Sequence, residues 1–148
     1  MNRTTKYRGR CANTGEWIYG DLIHDCNGKT FISVTGYSAL GTGFNCKYSV
    51  DPDTVGQFTG LHDKNGREIY EGDIVWEYIT SQIVCSRVVR YYNAAFIADS
   101  FIKGGETSAQ NYGYVHERYQ TLKYFVDTNI KLEVIGNIHD NPELLKTK

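Results

Sequence analysis

The chain has 148 residues but only two prolines and one methionine, and it carries no excess of either charge. Sixteen Lys and Arg stand against seventeen Asp and Glu, a formal net charge of −1. That balance removes any bulk pull on nucleic acid or an acidic membrane, so contact with either needs a local patch. No apolar run approaches the roughly 18 residues a bilayer-spanning helix requires; Ala-Ala-Phe-Ile-Ala at 94–98 is typical of the longest. The start, MNRTTKYRGR, is basic but lacks the apolar centre of a secretory leader. A soluble protein of the cytoplasm, without membrane contact, is the expectation. The four cysteines, at 11, 26, 46 and 85, include no C-x-x-C pair. Zinc sites usually begin with such a pair, so free thiols are expected, with no metal and no cofactor.

Aromatic residues and glycine are plentiful. Twelve Tyr, six Phe and two Trp make 14% of the chain, beside fifteen Gly. Aromatic and β-branched side chains suit pleated surfaces and glycine supplies turns, which predicts a mostly β fold of short strands and hairpins. Residues 16–24 read as a strand with a bulge at Gly20, and Asn27-Gly28 turns it into a second strand at 29–34. The glycine-rich stretch 36–45 reads as a loop, 46–50 as a strand, and Asp51-Pro52-Asp53 as a turn or helix start. Strand 57–61 leads through Asn65-Gly66 to 67–70; strands at 74–79, 83–92 and 95–98 follow, with a turn near Asn93. Residues 99–113 read as a loop. Residues 114–126 fit a helix through Val115, Tyr119, Leu122 and Val126, or a strand through their aromatics. Strand 131–138 and a helical turn opened by Asn141-Pro142-Glu143 close the chain. No repeat is evident.

Few motifs carry chemistry. Gly41-Thr42-Gly43 lacks the third glycine and following helix of a dinucleotide site, and Gly36-Tyr37-Ser38-Ala39-Leu40-Gly41 lacks the spacing of a nucleophile elbow. His24-Asp25, His62-Asp63 and His139-Asp140 are adjacent pairs, which on a strand point to opposite faces and so read as turn polarity. Asp51 and Asp53, like Glu71 and Asp73, are residues that turns want. One constellation remains: Arg87, Arg90, Tyr91 and Tyr92, followed by Tyr112, Tyr114, His116, Arg118 and Tyr119. Interleaved Arg and Tyr can clamp phosphates and stack on bases. The alternative is that half of them pack in the core and the rest form a solvated face, the commoner use of Tyr in β proteins.

Three stretches together resemble the YopX family of small phage and prophage proteins: WIYGDLIH at 17–24, VGQFTGLHDKNGREIYEGDIV at 55–75 and LEVIGNIHDNPELL at 132–145. The middle block is the most specific. Residues 36–49 and 99–128 match poorly and are the expected seat of partner specificity. The resemblance implies an N-terminal β subdomain at 1–56 and, at 57–148, an SH3-like barrel with a C-terminal helical turn. It brings no catalytic residues. It implies a non-enzymatic binding protein of the bacterial cytoplasm that engages a host protein or a small nucleotide signal, in host takeover or anti-defence. A nucleic-acid-binding regulator is the competing reading. A small chain with 14% aromatics and several short strands is also expected to leave an exposed edge or apolar patch, which predicts a homo-oligomer, most simply a dimer. Residues 66–75 are expected to be scaffold, with Ile74 and Trp76 pointing inward together. Arg87 and Tyr91 are expected to face a ligand, in which case truncating either costs little stability.

Overall fold

The computed structural model describes residues 5–100 and 119–145. The chain divides into two compact units, Met1–Gly60 and Leu61–Lys148. The chain is mostly β, as composition predicts.

In the first unit β1 (Tyr7–Cys11) pairs antiparallel with β2 (Trp17–His24) and with β4 (Gly43–His62), while β3 (Thr30–Tyr37) pairs with both β2 and β4. Strand β2 changes partner midway: its first half bonds β1 and its second half bonds β3. Gly20 stands at the changeover, where an added Cβ would lie 2.1 Å from the Ser33 carbonyl oxygen. The glycine expected as a bulge is therefore a point of close backbone approach.

Two loop expectations give way to strand. Residues 36 and 37 belong to β3 and 43–45 to β4, leaving a turn at 38–42. The Phe44 ring covers Gly36 across the pair, where a Cβ would stand 2.7 Å from Cζ, and an aromatic laid over a cross-strand glycine holds both strands extended. Strand β4 also runs straight through Pro52. Arg8 pairs with Gly56 but Arg10 pairs with Asp51, so β4 carries extra residues here. The Arg10 amide, which a regular ladder would bond to backbone, instead donates to Thr54 Oγ1 at 2.9 Å, and Thr54 donates to the Asp51 carbonyl at 2.6 Å. A bulge satisfied by a side chain has no need of a proline N–H.

Three hairpins reuse one turn. Asp25, Ser38 and Asp63 each accept, on the main-chain carbonyl, from a glycine three residues on (28, 41 and 66), and each amide donates to the carbonyl of the next residue (29, 42 and 67). Those glycines take φ of 77°, 78° and 82°, a conformation in which a side chain is strained.

In the second unit the end of β4 turns into β5 (Glu68–Tyr70). There follow β6 (Asp73–Ile79), β7 (Gln82–Tyr92), β8 (Ala95–Ser100), β9 (Tyr119–Thr121), α1 (Leu122–Asp127), β10 (Lys131–Asn137) and a 3-10 turn at Pro142–Leu145. Strands β6 to β9 form an antiparallel meander and β10 returns beside β6, giving the order β10-β6-β7-β8-β9 of an SH3-type barrel. The ambiguous stretch splits: 119–121 is strand and 122–127 is helix, while 114–118 lies outside the described residues. Thr121 caps the helix by accepting from the Tyr124 amide, and Leu122 and Phe125, three apart, fall on its buried face. The core gathers Ile69, Val75, Val89, Ala98, Leu122, Phe125, Leu132 and Val134. On β6 the residues facing this interior are Val75 and Glu77, not Trp76, which is only half-buried; Ile74 is fully buried outside that cluster.

Candidate functional site

The interior of the barrel contains an ion pair. Cross-strand register sets Val75 opposite Arg87 and Glu77 opposite Cys85, so these residues share the inward face with Val89 and Ala98. Arg87 Nε donates to Glu77 Oε2 at 2.6 Å, Arg87 Nη1 donates to the Ala98 carbonyl at 3.3 Å, and the Cys85 thiol donates to the same Glu77 oxygen at 3.0 Å. Glu77 and Arg87 are both 0% exposed. Burial pushes the Cys85 thiol up to about 12, although the nearby Arg87 charge works the other way. At neutral pH this sulfur is a protonated hydrogen-bond donor, not a nucleophile. The guanidinium stands 5.6 Å from the centre of the Phe125 ring, the central aromatic of α1.

Phe125 also lines a groove of about 460 Å³ between the end of β4, α1 and the start of β10. Its apolar surface comes from Leu61, Ile69, Leu122, Phe125, Ile130 and Leu132. His62, Lys64 and Lys131 also line it, and Val126, 60% exposed, stands at its mouth. Lys64 Nζ pairs with Glu133 Oε2 at 2.8 Å and lies 3.7 Å from the centre of the Tyr78 ring, whose hydroxyl donates to the same carboxylate. Hydrogen bonds from Lys64 and then Tyr78 hold the Glu133 carboxyl below its ordinary range, and the Glu133 contact raises both Lys64 and Tyr78. Lys131 Nζ donates to Asn129 Oδ1 at 2.6 Å. An apolar floor with ammonium groups beside it suits a ligand that joins an apolar body to an anionic group.

Of the Arg and Tyr residues singled out in the sequence, the four on β7 do not share one surface. Period two divides β7: Arg87 and Tyr91 take the inner face, Arg90 and Tyr92 the outer. Arg87 is sealed inside the barrel, which corrects the expectation that it faces a ligand. Tyr91 is 55% exposed at the end of the inner face, edge-on to Phe96 with ring centres 5.2 Å apart, and Tyr92 is 52% exposed. Arg90 lies on the surface, 3.7 Å from Asp99 Oδ2. Tyr119 opens β9. Tyr112, Tyr114, His116 and Arg118 lie outside the described residues.

The polar residues of the family-like blocks hold backbone. Asp63 Oδ1 accepts from the amides of Asn65 and Arg67, and its Oδ2 accepts from Val134 N at 3.0 Å. Asp73 Oδ2 accepts from the Tyr70 amide, and Asn137 Oδ1 accepts from the amides of His139 and Asp140. Gly72 turns with φ of 84°, donates to the Val89 carbonyl and accepts from Ile138 N. Among the described residues no three His, Cys, Asp or Glu converge as metal ligands, and no helix is long and apolar enough to cross a membrane. The groove was not legible in sequence because its floor is assembled from segments some sixty residues apart. The only local signal was the Leu122/Phe125 spacing on a helix otherwise read as ambiguous.

A mostly β chain of two units, the second with the strand order of an SH3-type barrel and a short helix before its last strand, is the class of protein this fold defines. The YopX protein family model matches residues 6–146, so the chain belongs to the YopX protein family. Its fold is similar to that of protein EF1440 from Enterococcus faecalis, with a TM-score of 0.54 and 22% identity over 98% of this chain and 100% of that one. It is also similar to protein yopX from Bacillus subtilis, with a TM-score of 0.53 and 18% identity over 97% of each chain. No curated protein matches.

Proposed function

We propose that this is a non-enzymatic binding protein, encoded by a phage or prophage and made in the bacterial cytoplasm, that engages a host protein through the groove of its second unit. The observation that carries the reading is the composition of that groove: an apolar floor on Phe125 and Leu132 beside Lys64 and Lys131. Its chemistry suits a peptide segment with an apolar side chain next to an acidic one. A small nucleotide is less favoured, because Arg87 lies inside the barrel and Arg90, Tyr91 and Tyr92 are divided between two faces of β7.

Native mass spectrometry of the protein purified from infected cells tests this reading. The expected result is a retained host polypeptide that Val126→Glu, at the groove mouth, releases while melting like wild type. A retained nucleotide, or turnover of nucleotides or peptides by the purified protein, would overturn it. Assembly as a homo-oligomer is part of the same proposal. Residues 43–48 of β4 are exposed, and no other strand among the described residues pairs with their second edge. A protomer mass by light scattering at tens of micromolar would refute that part.

A further inference from the structure

The turn at 62–67 has a near copy earlier in the chain. His24-Asp25-Cys26-Asn27-Gly28-Lys29 and His62-Asp63-Lys64-Asn65-Gly66-Arg67 share His-Asp-x-Asn-Gly-basic. They also share geometry. Asp25 Oδ1 accepts from Asn27 N at 2.9 Å and Lys29 N at 2.8 Å; Asp63 Oδ1 accepts from Asn65 N at 2.8 Å and Arg67 N at 2.9 Å. In both, the first oxygen of the carboxylate builds the turn, while the second oxygen and the amide of the following residue take no part in it.

In the second unit those outward groups clip a strand edge. Lys64 N donates to the Leu132 carbonyl at 2.9 Å, and Asp63 Oδ2 accepts from Val134 N at 3.0 Å. Asn65 Nδ2 reaches Glu133 Oε1, on the residue between them, at 3.3 Å. One donor and one acceptor thus match the carbonyl and amide that alternate residues present on the same side of a strand, and an amide side chain reads an acid in the middle. In the first unit the equivalent groups are Cys26 N, Asp25 Oδ2 and Asn27 Nδ2. Cys26 and Asn27 are exposed, and these three groups have no hydrogen-bond partner among the described residues.

We propose that the β2–β3 turn is a strand-edge clip for a protein partner: it docks on an unpaired edge strand at an apolar–acidic–apolar triplet, as its copy docks on Leu132, Glu133 and Val134. The turn is already built by its own five-residue hydrogen-bond pattern, so docking orders little and the two backbone bonds are formed without rearrangement. The surface uses none of the groove residues, and it stands or falls separately from the groove reading.

Two substitutions remove the docking groups and keep the turn. Asp25→Asn retains an oxygen for Asn27 N and Lys29 N but presents an NH2 group where the strand amide must be accepted. Cys26→Pro removes the donor at the second turn position, where proline is favoured. The probe is a cyclised hairpin peptide carrying residues 130–136 of this chain as its unpaired edge, titrated at millimolar concentration and followed through the Asn27 and Lys29 amide resonances. Saturable shifts are expected in the wild-type protein. Either substitution should weaken binding about tenfold without lowering the melting temperature, the effect of losing one hydrogen bond. Absence of a saturable shift, or equal binding by both variants, would overturn the proposal. A dimer that Cys26→Pro converts to protomer would overturn the assignment to a foreign partner, because a second copy would then occupy the clip.

Discussion

Removing Arg87 tests whether the barrel is held from inside by a charge. Arg87→Ala would take the guanidinium away from the fully buried Glu77 carboxylate and would strip the cation from beside Phe125. Breaking one partner of a buried pair costs about 3–5 kcal/mol, because a charge loses its counter-charge in a medium of low polarity. For a domain of this size that lowers the melting temperature by roughly 10–20 °C. Replacing both partners, Glu77→Leu with Arg87→Met, should recover stability to within about 1 kcal/mol of wild type, since two neutral side chains of similar bulk carry no desolvation cost. Urea denaturation followed by tryptophan fluorescence reads the effect. Trp17 lies in the first unit and Trp76 in the second, so a Trp17→Phe background isolates the barrel signal. Arg87→Ala within 1 kcal/mol of wild type, or additivity of Arg87→Met and Glu77→Leu in the double variant, would refute the reasoning and return Arg87 to the surface role its sequence context suggested.

Cys85 ties stability to alkaline pH: its thiol, pushed up to about 12 from an ordinary value of 9.0, stabilises the fold fully below 9 and loses that contribution as pH rises toward 12. Cys85→Ala should flatten this alkaline slope in melts recorded across the interval, and an unchanged slope would show that another group sets it. Asp63→Asn keeps the turn but sets an NH2 group against Val134 N, and should cost about 2 kcal/mol, whereas Asp25→Asn should cost almost nothing; equal losses in thermal melts would mean the two turns do not differ in docking. Ile74→Ala should cost about 2–5 kcal/mol and Trp76→Ala less, because Ile74 is fully buried and Trp76 only half-buried; the reverse order in denaturant titrations would restore the alternation expected from sequence. Glu133→Gln should shift the acid limb of stability: the carboxyl sits low in the folded state, so its contribution is present above the ordinary carboxylate range and lost as pH falls through its depressed value, and an identical acid limb in the variant would refute this.

What could be read along the chain was what depends on near neighbours. Asn27-Gly28 and Asn65-Gly66 announce hairpins because the glycine alone tolerates φ near 80°, and both are turns in the structure. Period-two patterning located β6, β7 and β10 nearly to the residue, and the three family-like blocks carry the family resemblance that the family model bears out. Which way a strand faces is another matter. A register shift of one residue exchanges the faces, so Arg87 and Trp76 could be assigned inward or outward only once β6 was laid against β7. Pro52 reads as a strand breaker until Thr54 supplies Arg10 with the acceptor that a regular ladder would have provided. Asp63 reads as a turn residue, and it is one; that it also seals the edge of β10 depends on Val134, seventy-one residues away. The groove floor depends likewise on bringing Leu61, Phe125 and Leu132 together. Local backbone preferences are written in adjacent residues, while the direction of a side chain, the seat of a buried charge and the walls of a groove follow from contacts between distant segments, which only the folded chain decides.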